Sequence, residues 1–204
     1  MIFSGPERQA PKTVLETEPS HLARYRFASE FIKSKDLVLD VPCGSGYGSN
    51  LISAKAQKVV GVDNNFGAIQ HAKEFFHANN TEFLIADMES LMDFFSEDLK
   101  FDVIVSFEGI EHIKRQDFFL SQVRKLLKTD GYFVISTPRK PHGSIFHTRE
   151  FSLEEFYQIL SRDFIVEKMF GQIYTDIFDM DKRPENPHFY KKFNFIAICK
   201  PKSE

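Results

Sequence analysis

Apolar residues recur along this chain in two rhythms. Short apolar runs at Leu37–Val41, Lys58–Asp63, 82–86, 101–107 and Gly131–Thr137 have the length and β-branched content of buried strands. Between them lie stretches of helical spacing, at 47–55, 66–78, near 88–95 and at Gln116–Lys128, where Phe119, Val123, Leu126 and Leu127 share a face. Strand and helix alternating in this way predict a parallel sheet covered on both faces. An earlier helix is expected from Pro19 or Ser20, with Leu22, Tyr25, Phe31 and Ile32 facing inward. Ser152 followed by Glu155 reads as a capping box for a helix to about residue 161. Phe164–Phe170 and Phe193–Cys199 read as two last strands. Residues 171–192 between them are polar and proline-bearing, without a clear period, and are read as an acceptor-side loop.

With 204 residues, 42% hydrophobic and 27% charged, the chain suits one globular domain over 1–204, residues 1–35 forming an arm and helix. Its formal net charge of −3 marks no basic surface, which argues against nucleic acid as partner. No apolar stretch approaches the length of a membrane span, and the start does not read as a signal peptide. Cys43 and Cys199 make no disulfide framework, so the cytoplasm is the expected compartment.

The chemistry concentrates where the first strand ends, in Val38-Leu39-Asp40-Val41-Pro42-Cys43-Gly44-Ser45-Gly46-Tyr47-Gly48. Small residues there let the backbone turn tightly and approach a ligand. Alone, such a loop fits many nucleotide-binding folds. Two acids narrow it. Asp63 ends the second strand, where a carboxylate can bind both ribose hydroxyls. Asp40, before the glycines, would repel a pyrophosphate but favours the ammonium and sulfonium of S-adenosylmethionine. Asn64, beside Asp63, and Phe107, closing the fourth strand, join the candidate cofactor residues.

Past the fourth strand the sequence runs Phe107-Glu108-Gly109-Ile110-Glu111-His112. On one helical turn Glu108, Glu111 and His112 would share a face. Carboxylates and imidazoles suit a divalent cation, and His147 offers a further imidazole. Glu108 and His112 are the candidate catalytic residues. Arg139, His142 and His188 are read as surface loop residues.

These motifs resemble the class I S-adenosylmethionine-dependent methyltransferases over nearly the whole chain. The resemblance implies a Rossmann-like, doubly wound α/β sheet of seven strands, mostly parallel with an antiparallel last strand. It assigns Asp40, Asp63 and Asp87 to the cofactor, Asp87 accepting from the adenine amino group and Met88 meeting the ring through its backbone. Gly44 and Gly46 match the close-approach glycines, while Pro42 stands where that family has glycine or alanine. Glu-x-x-Glu-His with a later histidine is similar to the metal set of small-RNA 3′-end 2′-O-methyltransferases, here Glu108, Glu111, His112 and His147. Ubiquinone-pathway O-methyltransferases carry a similar run. The stretch from Gly5-Pro6-Glu7-Arg8 to His21-Leu22-Ala23-Arg24-Tyr25 resembles methyltransferases associated with bacterial surface-polysaccharide synthesis. In that resemblance His21 and Tyr25 close the cofactor pocket, and the acceptor is a sugar, sugar nucleotide or glycan-linked group. The alternatives are a phenolic or quinone-type small molecule, an RNA 3′ end, or a nicotinamide-dependent oxidoreductase.

Overall fold

The computed structural model describes residues 9–182 and 193–203. The Gly5–Arg8 start and residues 183–192 of the segment read as an acceptor-side loop, His188 among them, lie outside the described residues.

A mixed sheet of eight strands forms the centre, in the order β3-β2-β1-β4-β5-β8-β6-β7. The strands are β1 (Leu37–Asp40), β2 (Lys58–Asp63), β3 (Thr81–Ile85), β4 (Phe101–Phe107), β5 (Leu127–Pro138), β6 (Phe164–Ile173), β7 (Asp176–Asp179) and β8 (Asn194–Pro201). β3 through β5 run parallel, and β8 lies antiparallel between β5 and β6. The helices are α1 (Pro19–Ala28), α2 (Tyr47–Ser53), α3 (Phe66–Phe75), α4 (Gln116–Leu126) and α5 (Leu153–Leu160).

Side-chain alternation along the strands divides the core in two. Leu39, Val60, Ile104 and Phe133 pack with Phe119 and Val123 of α4 and Phe156 of α5. Their neighbours Val38, Val59, Val103 and Val134 pack with Tyr25 of α1 and Ile52 of α2 on the other face. Burial on both faces explains why the strands read as continuous apolar runs.

The expected count of seven strands is corrected to eight. The additional strand is β7, which lies in the segment read as loop. Asp176–Asp179 folds back on β6 and pairs Gly171 with Phe178. Phe178 packs against Phe193 instead of facing an acceptor, with ring centroids 6.1 Å apart. Backbone pairing and one partly buried aromatic make this strand, with too few alternations to show a period. The antiparallel last strand agrees with expectation.

Candidate active site

The C-terminal ends of β1, β2 and β4 open into a cavity of about 450 Å³, the size range of small-ligand sites. Its walls come from four directions: Val41–Ser45 after β1, Asp63 and Asn64 after β2, Phe107–Gly109 after β4, and His21, Arg24 and Tyr25 on α1. Ala86, Met88, His112 and Phe146 complete it. Ligands of open α/β sheets bind at this edge.

The β1–α2 loop turns through Gly44 and Gly46, both with left-handed backbones, at φ +55° and +88°. The two glycines do different work. A Cβ on Gly44 would meet nothing within 4 Å, so this residue leaves room for a ligand. A Cβ on Gly46 would run into Ala72 and Phe83, so Gly46 lets the loop pack on α3 and β3 and does not line the cavity. Pro42 does line it, and its ring sits against Gly109.

Asp63 is 2% exposed and is held on both sides. Its Oδ2 accepts from the Gly44 amide at 3.1 Å and its Oδ1 from the Asn65 amide at 2.8 Å. These bonds orient the carboxylate at the cavity wall.

Asp40 is fully buried and lies behind the cavity surface. It accepts from Ser49 Oγ at 2.6 Å and from Tyr25 Oη at 3.1 Å. Burial raises its carboxyl to about 7, against the lowering effect of those two hydrogen bonds. Its charge therefore reaches the cavity through Tyr25 and the loop, not by contact. Tyr25 is held edge-on to Phe107, with centroids 4.9 Å apart. Asp87, expected at the adenine, caps a short 3-10 turn at Met88–Asp93, accepting from the Glu89 amide at 2.8 Å. Its neighbours Ala86 and Met88 line the cavity, and Asp87 does not.

His21 Nδ1 lies 2.9 Å from Tyr47 Oη and 3.2 Å from Gln9 Nε2. An amide nitrogen only donates, so Nδ1 accepts and the ring proton sits on Nε2. Burial, aided by the charge of Arg24, lowers this imidazole to about 4, so it is neutral near pH 7. Arg24 belongs to the His21–Tyr25 motif but was given no role from the sequence. The signal was there: His21, Arg24, Tyr25 and Ala28 fall at the spacing of one helix face, and a charge stands on that inward face.

Beyond β4 the expected four-residue cluster is corrected. Glu108 has a left-handed backbone, φ +51°, so no helical turn joins it to Glu111. A 3-10 turn begins only at Ile110. Glu108 is turned toward the far strands, where Ser136 of β5 donates at 2.9 Å and Asn194 of β8 at 3.2 Å. The ligand atoms of Glu111, His112 and His147 do converge, all within 4.8 Å of one another, without Glu108.

Glu111 is 1% exposed. Thr137 donates to its Oε2 at 3.1 Å, while its buried Oε1 has no hydrogen-bond partner. Burial, then repulsion from Glu108, pushes this carboxyl well above the usual range. His112 Nδ1 lies 3.2 Å from the Phe146 carbonyl, which can only accept. The neutral ring thus carries its proton on Nδ1 and its lone pair on Nε2, 4.0 Å from Glu111 Oε1. His147, with a side chain 4% exposed, has Nδ1 3.4 Å from Glu150. Glu150 is fixed by the amides of His142 at 2.9 Å and Gly143 at 2.6 Å. His142, read as a surface loop residue, stacks on His147 with centroids 4.9 Å apart.

The family model for a methyltransferase domain matches residues 32–193. Probable S-adenosylmethionine-dependent methyltransferases are similar to the chain. One from Mycobacterium tuberculosis is 31% identical over 156 residues, 72% of this chain and 55% of that protein. A ubiquinone biosynthesis O-methyltransferase from Pelagibacter ubique is 35% identical over 103 residues, 50% of this chain and 42% of that protein. The chain spans about half the length of these curated relatives. Among solved structures, the N-methyltransferase NodS from Bradyrhizobium japonicum, in complex with S-adenosyl-L-homocysteine, superposes with a TM-score of 0.68. It is 14% identical, and the match covers 93% of this chain and 91% of that one.

Proposed function

The chain belongs to the methyltransferase-domain family, and from that premise we propose that it is an S-adenosylmethionine-dependent methyltransferase acting on a hydroxyl of a small acceptor, assisted by a divalent cation. The nicotinamide-dependent alternative falls with that membership. S-adenosylmethionine supplies a methyl group already activated by its sulfonium, so the protein's share is orientation and removal of the acceptor's proton.

The cavity suits that cofactor. Gly44 leaves space beside the loop, and Asp63, already oriented by two amides, is the ribose partner. Met88 and Ala86 form the adenine side, with Asn64 at its rim. Tyr25, Phe107 and His21 close the opposite wall, and the buried Asp40 carboxylate favours the sulfonium from behind.

The observation that carries hydroxyl chemistry is His112. Its Nδ1 bond to the Phe146 carbonyl holds Nε2 as the basic nitrogen on the cavity wall. Without a cation, that nitrogen can take the acceptor's proton directly as general base. The residues present also fit a cation: Glu111 brings a buried oxygen without a partner to the place where His112 and His147 meet. Glu111, His112 and His147 would hold the ion, and it would act there as a Lewis acid toward the acceptor hydroxyl. Glu108, braced by Ser136 and Asn194, lines the same cavity and orients the acceptor.

Vicinal oxygens, on a sugar or a catechol, are what such an ion grips. The relatives named for ubiquinone biosynthesis favour the phenolic acceptor as the first to try. The surface-polysaccharide acceptor rests on the N-terminal resemblance alone. Turnover of catechols and sugar nucleotides is to be measured before and after exhaustive chelation. The expected result is loss of turnover, rescue by a divalent cation, and weaker rescue in His147→Ala. Activity that survives chelation but is abolished by His112→Ala would reject the cation and leave the base.

A further inference from the structure

The loop between β5 and α5 brings two acceptor groups to the histidines past β4. Phe146 offers its carbonyl to His112 Nδ1 at 3.2 Å. Glu150 offers a carboxylate to His147, with Oε1 3.4 Å from Nδ1. In each ring Nδ1 thus faces an acceptor of this loop, and Nε2 is left with the lone pair. The two rings stand edge to face, with centroids 5.0 Å apart, and their ligand atoms converge with that of Glu111.

Glu150 is built to hold that place. Its Oε2 accepts from the His142 amide and its Oε1 from the Gly143 amide. Gly143 has a left-handed backbone, φ +81°, which glycine adopts without strain and which lets two successive amides meet one side chain. The 3.4 Å approach to His147 is longer than a formed hydrogen bond. A ring that gives its Nε2 lone pair to a cation holds a more acidic proton on Nδ1, which draws the carboxylate closer. His142, His147 and Glu150 also lie near enough to share an ion of their own. Stacking argues against it: the planes of His142 and His147 are 23° apart, with centroids at 4.9 Å. An imidazole lone pair lies in the plane of its ring, so two nearly parallel rings do not aim at one ion.

We propose that Glu150 is a positioning residue of the cation site: it accepts the Nδ1 proton of His147 and so fixes Nε2 as the nitrogen offered to the ion. The inference rests on reading Glu111, His112 and His147 as the cation set. A histidine ligand whose second nitrogen donates to a carboxylate or a carbonyl is held in one tautomer and is the stronger base. Here one loop serves both ligands, His112 through a carbonyl and His147 through a carboxylate.

Cobalt(II) alone, titrated by calorimetry into the full chain, tests this together with nitrogen NMR of the imidazoles. Glu150→Ala is expected to weaken cobalt on the order of ten- to a hundredfold, as for loss of a partner behind a ligand. S-adenosylhomocysteine affinity in Glu150→Ala, and cobalt affinity in His142→Ala, should each stay within about twofold. Because Glu150 acts through His147, adding Glu150→Ala to His147→Ala should cost nothing further. Without added ion, His147 should carry its proton on Nδ1, and Glu150→Ala should give a mixture of tautomers, which a merely structural role would not produce. Unchanged cobalt affinity in Glu150→Ala, full additivity with His147→Ala, or a His147 protonated at Nε2 would each overturn the proposal. So would a second bound cobalt lost in both His142→Ala and Glu150→Ala, which would give the loop an ion of its own. If Glu150→Ala also loses S-adenosylhomocysteine, Glu150→Gln carries the test, since it keeps the shape and removes the charge. Cobalt should then weaken by less than in Glu150→Ala, and no loss would overturn the proposal. Failure of the unaltered protein to bind cobalt would reject the cation reading and the inference with it, whatever tautomer His147 shows.

Discussion

Asp40 is a carboxyl without access to water, raised by burial from 3.8 to about 7. A folded-state value above the unfolded one means that the native state holds this proton more tightly. The group's contribution to stability is therefore full below about pH 4 and is lost as the pH rises through about 7. A cationic ligand reverses the preference, because its charge favours the carboxylate. S-adenosylmethionine affinity is thus expected to strengthen as pH rises across roughly a unit on either side of 7, with proton release. S-adenosylhomocysteine lacks the sulfonium charge and should show a weaker trend. Calorimetry in two buffers of different ionisation enthalpy measures the released proton, and Asp40→Asn should remove that component. An unchanged pH profile in Asp40→Asn would contradict the role. The sequence made Asp40 visible as a cofactor acid, but not Tyr25 and Ser49 as the groups that hold it. Nothing in spacing shows that Gly48 lacks a Cβ so that the Tyr25 ring can lie there.

At the scale of elements, α5 shows how far local chemistry reaches. Ser152 Oγ accepts from the Glu155 amide at 3.2 Å, and Glu155 accepts from the Ser152 amide at 2.8 Å. The capping box read from two residues is formed as expected. Ser152→Ala should cost about 1 kcal/mol, seen as a lower urea midpoint at unchanged slope. A midpoint that does not move would show the cap to be redundant. Elements with a long apolar period were legible in this way, as were Asp63 and the glycine loop. β7 was not, because two acids flank its two apolar residues and its pairing is a property of β6. Glu108 was misplaced for a related reason: a left-handed backbone at one residue breaks the helical count, and residue type does not announce it. His142 and Glu150 gain their place only from the fold of the loop that carries them.

At the scale of the whole molecule, the cavity draws on α1, β1, β2 and β4 together, so a ligand there ties distant parts of the chain. Binding to the native state alone should raise its stability. S-adenosylhomocysteine at a hundred times its Kd would add about 2.7 kcal/mol. For a chain of this size that corresponds to a Tm increase of roughly 5–10 °C. A thermal scan checks it, and NAD should give no comparable shift. Equal stabilisation by both would contradict the cofactor assignment.

The position of β8 sets an order of assembly. It pairs with β5 on one side and β6 on the other, although both precede it in sequence. As the chain leaves the ribosome, β5 and the β6–β7 hairpin therefore emerge as separate open edges, waiting for a strand not yet made. The glycine loop and Asp63 belong to strands that pair without β8. Asn194, which braces Glu108, arrives on β8 itself, and Gln172, which holds Arg24, sits on β6 where Asn194 pairs with it. A nascent chain can shape the end of the cavity at the glycine loop and Asp63 before translation reaches β8, but the end at Glu108 is completed only when that strand docks.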